Sequence, residues 1–292
     1  MGRTAGPRGR EPFLSGRGPS CALPDLRTSS RDSSIRIGLC PNTDARYSLS
    51  VLEQGALIAI SITQGVVDME AMTPEQRALL LDRYQLLRRA GRDLAHRLVK
   101  TLDHDAIDEA ADRLGCLQGD TIVLDTEDTI SVIMDFALYH VRQDGLNAVE
   151  RHFRNSPPAP GTDGRTCLDA MRQARYRVLQ VDELFSGFGL TVHDVLRSEN
   201  GLLLDVALSR SAQKGAVLAG HVLCFPDFWM TTGAGLPLTP VVFGGLTRRL
   251  HRCFGRSPRV YQQLSAERAA QLASWVIRAA LEAGMAQRVA YA

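Results

Sequence analysis

Residues 176–232 read YRVLQVDELFSGFGLTVHDVLRSENGLLLDVALSRSAQKGAVLAGHVLCFPDFWMTT, short apolar runs broken by Gly, Asn and Ser. Runs of this length bounded by turn residues predict strands rather than helices. The spacing places them over 177–184, 190–196, 202–208, 216–225 and 228–232, with turns at Ser186-Gly187-Phe188-Gly189 and Ser198-Glu199-Asn200-Gly201. Asn200-Gly201 is a strong hairpin signal, because both residues tolerate the positive φ of a tight turn. Five short strands of this kind make a small antiparallel module. It is either a closed barrel of SH3-like or OB-like size, which hides its edges, or an open sheet laid on helices.

Upstream, the pattern turns helical. Thr73-Pro74-Glu75-Gln76 supplies an N-cap, a proline at the first helical position and a capping-box glutamine. Leu80, Tyr84, Leu87, Gly91, Leu94 and Leu98 then recur at steps of three and four, one face of a long amphipathic helix. Asp103 caps a second helix carrying Ile107, Ala110, Ala111 and Leu114 and stopped by Gly115. Thr121 to Leu124 form a short strand, after which Asp125 and Thr126 cap a third helix with Ile130, Ile133, Met134, Ala137 and Val141 on one face. Leu146, Val149 and Phe153 predict a further turn or two, and residues 163–175 another helix. Beyond the strands come a Gly/Pro stretch, an Arg-rich segment and a last helix capped by Ser265. The fold class is therefore α+β: a helical N-terminal half, a small five-stranded antiparallel β module, barrel-like, and a C-terminal helix. The expected organisation is an extension over 1–71, a mainly helical subdomain over 72–155, a Pro-rich linker over 156–162, the β module with its preceding helix over 163–238, and a closing segment over 239–292.

Composition bounds the function. The 292 residues are 45% apolar and 23% charged, a globular profile, and a net charge of +2 creates no whole-protein field toward nucleic acid or anionic membrane. Only Lys100 and Lys214 among the 34 basic residues are lysine, as GC-rich coding would give, so arginine number alone says little. Cysteines at 21, 40, 116, 167, 224 and 253 form no C-x-x-C, which argues against a zinc knuckle or a redox pair and predicts reduced thiols in a cytoplasmic protein. The apolar run 56–62 is too short to span a bilayer. Before residue 70 lie eight Arg and no Lys among Gly, Ser and Pro. That composition predicts a disordered extension, or a start of translation at Met69 or Met72; Glu11, Asp25 and Asp32 argue against a transit peptide.

The segments MTPEQRALLL at 72–81, MDF at 134–136, RY at 175–176, DVLR at 194–197 and FWMTTG at 228–233 resemble a family of uncharacterised bacterial proteins over about residues 72–238. The strand module is also similar to one in some bacterial proteins with a SEC-C zinc motif, whose cysteines this chain lacks. The resemblance implies no activity and leaves residues 1–71 outside the shared region.

Few residues offer chemistry. His104, between Asp103 and Asp105 and one helix after His96, offers metal-ligand types close together, although capping accounts for both acids. Asp125, Glu127 and Asp128 sit where a strand feeds a helix, a place where carboxylates hold Mg²⁺ or activate water, and capping again covers most of them. Asp135 is different: it lies between Met134 and Phe136 in an apolar helix, would be costly to bury unpaired, and has no cation at helical pairing distance. The site candidates are thus Asp125, Asp128 and Asp135 for catalysis and His104, Asp125 and Asp128 for a metal. His193 and His221 fall in strands and read as packed histidines. No P-loop, dinucleotide fingerprint or G-x-S-x-G occurs, and no cofactor is implied.

Arg248, Arg249, Arg252 and Arg256, with Arg259 and His251, make one local basic patch. Together with Phe225, Phe228 and Trp229 it could hold RNA or single-stranded nucleic acid by phosphate contact and stacking. Three functions follow. In front stands a non-enzymatic interaction or regulatory protein that binds another protein through its β module and helices; behind it stand a divalent-metal hydrolase or transferase at Asp125, Asp128 and Asp135, and a nucleic-acid binder.

Overall fold

A computed structural model describes residues 62–63, 66–67, 72–119, 121–123 and 127–284, which all fall in one contact unit, 45–292. The extension expected over 1–71 thus lies outside the described residues except for β1 (Ile62–Thr63) and β2 (Val66–Val67), an antiparallel pair. The Thr73 hydroxyl accepts from the Gln76 N–H while the Gln76 side chain accepts from the Thr73 N–H, starting α1 (Pro74–Val99). Leu80, Tyr84, Leu87, Leu94 and Leu98 are its buried stripe. Asp103 caps α2 (His104–Leu114), and Gly115 ends it at φ 73°, a conformation that favours glycine. A small hairpin of β3 (Leu117–Gln118) and β4 (Thr121–Ile122) leads to α3 (Glu127–His140), then α4 (Ala148–Asn155), capped by Asn147 and Glu150, and α5 (Asp163–Arg172).

The β module follows. It comprises β5 (Arg175–Phe185), β6 (Gly189–Asp194), β7 (Glu199–Leu204), then α6 (Val206–Ser211), β8 (Val217–Cys224), β9 (Trp229–Thr231) and β10 (Leu236–Leu238). After it come α7 (Pro240–Phe254), α8 (Pro258–Gln262) and α9 (Ala266–Glu282). Strands β5, β6, β7, β9 and β8 close a ring of five, because β8 pairs with both β5 and β9. The ring is not wholly antiparallel as expected: β7 and β9 run parallel, meeting at Leu203 and Trp229. One edge of β8 carries β5; the other is divided between β9 at Val222–Cys224 and the added strand β10 at Val217–Ala219. Strand β10 falls in the stretch whose Gly and Pro suggested a loop. Its Pro237 sits in an edge strand, where a missing N–H costs no ladder bond.

Two further expectations change. Asn200-Gly201 is not a turn but part of β7, because Asp194 builds the turn earlier: its Oδ1 accepts from the N–H groups of Leu196 and Arg197, and Ser198 takes φ 54°. Glycine is needed at 201 for another reason, since a Cβ there would lie 2.5 Å from the Trp229 ring. The strand expected over 202–208 ends at Leu204 because the Asp205 carboxylate accepts from the Leu208 N–H and caps α6.

The period-two alternation of the strands divides the interior. Leu179, Val181, Leu190, Val192, Leu203, Leu218 and Val222 fill the barrel. Outward residues Tyr176, Val178, Val217 and Ala219 meet α2, α3, α7 and α9 in a second core. Leu202, Leu204 and Leu223 meet α1, α4 and α5 in a third. Helix α3 lies on the seam of these two outer cores: Ile133, Phe136 and Ala137 enter one, Leu138 and Tyr139 the other. Asp135 is on that seam.

Candidate functional site

Helix α3 presents Asp135 and, one turn on, Tyr139 and His140 toward the outside of the barrel. Strand β8 answers with His221, which stands opposite Tyr176 in the β5–β8 register. His221 is 1% exposed and Asp135 9%. The His221 Nδ1 lies 2.5 Å from Asp135 Oδ2, and its Nε2 lies 2.9 Å from the Nε2 of His140. Aromatic rings enclose the imidazole: Tyr139 stacks on it at 4.3 Å between centroids, and Tyr176 meets it edge-on at 5.0 Å.

Hydrogen-bonding chemistry fixes most of the protons. A carboxylate only accepts, so His221 carries its proton on Nδ1 and donates it to Asp135. Burial, then the neighbouring His221, Arg113 and Arg142, hold the His140 pKa well below the usual histidine value, so His140 is neutral. One proton lies between the two Nε2 atoms, carried by either ring. The three side chains are therefore a continuous acid–base chain from Asp135 to the half-buried His140. Burial first, and the Asp135 charge second, push the Tyr139 and Tyr176 phenols upward, so both remain protonated. Neither hydroxyl has a hydrogen-bond partner among the described residues.

Asp135 also faces a cleft of about 370 Å³, counting its space open to solvent. The cleft is lined by Arg88 and Arg92 of α1, Asp135 and Tyr139 of α3, and Thr231 and Thr232 at the end of β9. Arg88 Nη1 donates to the Thr231 carbonyl at 2.6 Å. The Thr232 hydroxyl oxygen is buried and, like the Tyr139 hydroxyl, has no partner among the described residues. Leu138, Met171, Leu223 and Met230 supply apolar wall.

The family model of DUF7986, a family of unknown function, matches residues 79–253. The chain belongs to that family. No curated protein and no solved structure matches it. The DUF7986 match contains every residue of the acid–base chain and the cleft, and it begins and ends later than the 72–238 expected from resemblance.

Of the residues singled out in the sequence, Asp135 alone enters the cleft. Asp125 lies outside the described residues. Asp128 is half-buried in the first turn of α3, about 10 Å along the axis from Asp135 at 1.5 Å per residue, and does not line the cleft. His104 opens α2, exposed, beside Asp103, whose carboxylate accepts from the Ala106 N–H and from Gln143. Among the described residues no three His, Cys, Asp or Glu side chains are arranged to hold a metal ion. His140 follows Asp135 in the sequence and His221 reads as a packed histidine, as its 1% exposure bears out, but neither is among the site candidates. The signal was the cost of an unpaired Asp135, which demanded a partner without naming one.

Arg248, Arg249, Arg252 and Arg256 are exposed on and just after α7, and Arg249 lies over the Trp275 ring at 4.3 Å. The aromatics assigned to stacking are elsewhere: Phe225 and Phe228 are 8% and 3% exposed in the α1-side core, while α7 packs into the other outer core. Trp229 is covered by the Arg177 guanidinium at 4.5 Å. The DVLR segment has a structural role. Fully buried Asp194 accepts from Arg177 at 2.9 Å and Arg197 at 3.1 Å, and Arg177 also reaches Glu199, tying β5, β6 and β7 together. Cys116, Cys167, Cys224 and Cys253 are free thiols, and no described helix is long and apolar enough to cross a membrane.

Proposed function

We propose that this DUF7986 protein binds a small polar molecule in the cleft between α1, α3 and the end of β9, and that Asp135 exchanges a proton with it. The observation that carries this is a buried carboxylate backed by two histidines and open on its other side to a cleft. Isolated core ion pairs have no such opening, and a carboxylate joined to histidines beside a concavity is the arrangement of acid–base sites. Asp135 accepts a proton from the bound molecule; the His221 Nδ1–H holds the carboxylate in orientation, and His140 extends the path away from the cleft. The divalent-metal reading has less support, since Asp128 is two turns away and one oxygen of Asp135 is engaged by His221. The likeness of the strands to those of SEC-C proteins adds no activity.

The test is a panel of neutral and charged fragments followed by NMR of ¹⁵N-histidine and methionine methyl groups. Hits that move His221, Met171 and Met230 together, and that Asp135→Asn weakens, support the cleft. Hits that leave those resonances still, or no hits, overturn it.

A second reading keeps the interaction role for the face of α7 and α8. From Phe228 to Ala266 the chain has no acidic residue, and Arg248, Arg252, Arg256 and Arg259 are exposed without a carboxylate partner among the described residues. With Phe225 and Phe228 buried and Trp229 covered by Arg177, this face suits an acidic protein surface better than single-stranded nucleic acid, which needs stacking. Tight oligonucleotide binding with a steep salt dependence would reverse that preference.

A further inference from the structure

We infer that the ligand of the cleft is a small oxyanion, a carboxylate or a phosphate, that carries a hydroxyl group at its other end. The inference rests on the cleft being a binding site and assigns the class of molecule it takes. Polar groups around the cleft are mostly donors. Arg88 and Arg92 stand one helical turn apart on α1, and the protonated hydroxyls of Tyr139 and Thr232 lack acceptors among the described residues. Several other arginines meet acids: Arg83 with Asp163, Arg113 with Glu109, Arg142 with Glu150, Arg165 with Asp169. Arg88 and Arg92 have no such partner among the described residues, and the bond from Arg88 to the Thr231 carbonyl holds its guanidinium in place without neutralising it. Arg88, held by the Thr231 carbonyl, and the exposed Arg92 offer two guanidinium groups that match the lone pairs of an oxyanion.

Asp135 sets the other end. Its carboxylate in the lining of the cleft repels a second anionic group and accepts from a hydroxyl, so the bound molecule places its charge toward α1 and its hydroxyl toward α3. The ligand hydroxyl donates a hydrogen bond to the Asp135 carboxylate, and binding itself makes and breaks no covalent bond.

The probes are glycolate, acetate, inorganic phosphate and the neutral 1,2-propanediol, titrated into the full chain and followed by thermal melting and by the histidine and methionine resonances named above. Glycolate or phosphate is expected to raise the melting temperature, with glycolate binding at least ten-fold tighter than acetate or the diol. Whichever of the two binds more tightly identifies carboxylate or phosphate as the source. Arg92→Gln, at an exposed position, should weaken the anion at least five-fold while the His221 resonance of the free protein stays where it was. Arg88→Gln should do the same; because Arg88 also holds the Thr231 carbonyl, Arg92→Gln decides if it unfolds. Diol binding equal to glycolate, or undiminished anion binding in Arg92→Gln, overturns the oxyanion and leaves the cleft reading standing. Absence of all four from the cleft, with neutral fragments of the wider panel still bound there, overturns the oxyanion alone. If the wider panel is absent too, both fall.

Discussion

Replacing one member of the Asp135–His221 pair should cost more than half of what replacing both costs, and the excess can be worked out from the geometry. Asp135→Leu leaves His221, 1% exposed, with an Nδ1–H aimed at a methyl group. An orphaned buried donor costs about 1–3 kcal/mol, and loss of a charge-assisted bond adds to it, so about 3 kcal/mol is expected. His221→Phe leaves the Asp135 carboxylate without its donor, but that group is 9% exposed and opens on the cleft, where water can reach it. Its cost should be smaller, about 2 kcal/mol. The double variant removes donor and acceptor together and keeps the ring that stacks between Tyr139 and Tyr176, so it should lose about 3 kcal/mol rather than the sum of about 5. Urea unfolding at neutral pH, fitted with a common slope, gives all three values and a coupling of about 2 kcal/mol. If the two single losses add to the double loss within about 0.5 kcal/mol, the histidine and the carboxylate are independent, and the acid–base chain does not exist as described.

Four further outcomes follow from the same structure. Because His140 is kept neutral in the fold while its unfolded counterpart takes up a proton near pH 6.5, stability should fall by about 1.4 kcal/mol per pH unit below that value, and His140→Gln should flatten the slope of a urea series on the acid side. The sign reverses in alkali: Tyr139 and Tyr176 keep their protons in the fold beyond pH 10, so stability should decline above it, read by melting with tyrosinate absorbance at 295 nm as the second channel. Gly201→Val should destabilise by about 2–3 kcal/mol by driving the Trp229 ring away, with a red-shifted tryptophan emission before unfolding begins. Asp194→Ala takes one acceptor from each of two buried guanidinium groups, which keep Glu199 and the Tyr176 carbonyl, leaves two amides without theirs and should cost about 3 kcal/mol, whereas a surface acid such as Asp93 should cost little.

Local signals carried the helices and failed where contacts are distant. Thr73, Asp103 and Ser265 cap helices by bonds within three residues, so a few letters suffice to read them. Closure of the barrel depends on one parallel pair, Leu203 with Trp229, separated by a helix and a whole strand, and no periodicity reports it. At Asn200-Gly201 the local rule gave the wrong answer because a tertiary demand for the same glycine, the Trp229 ring, outweighed the turn that the dipeptide favours. The site divides the same way. Asp135 stood out because its neighbours along the chain are apolar, whereas His221 did not, because a histidine in a strand is unremarkable until α3 is laid across it.

That asymmetry bears on what the cluster is for. Leu138, Phe136 and Ala137 already hold α3 on the barrel, so a buried aspartate–histidine pair adds to packing that is in place without it. Packing therefore does not require the pair. Asp135 keeps one side toward a cleft flanked by arginines without carboxylate partners among the described residues, and His221 joins it to a second histidine that burial keeps neutral. A pin needs neither the opening nor the second histidine; a group that gives and takes protons uses both.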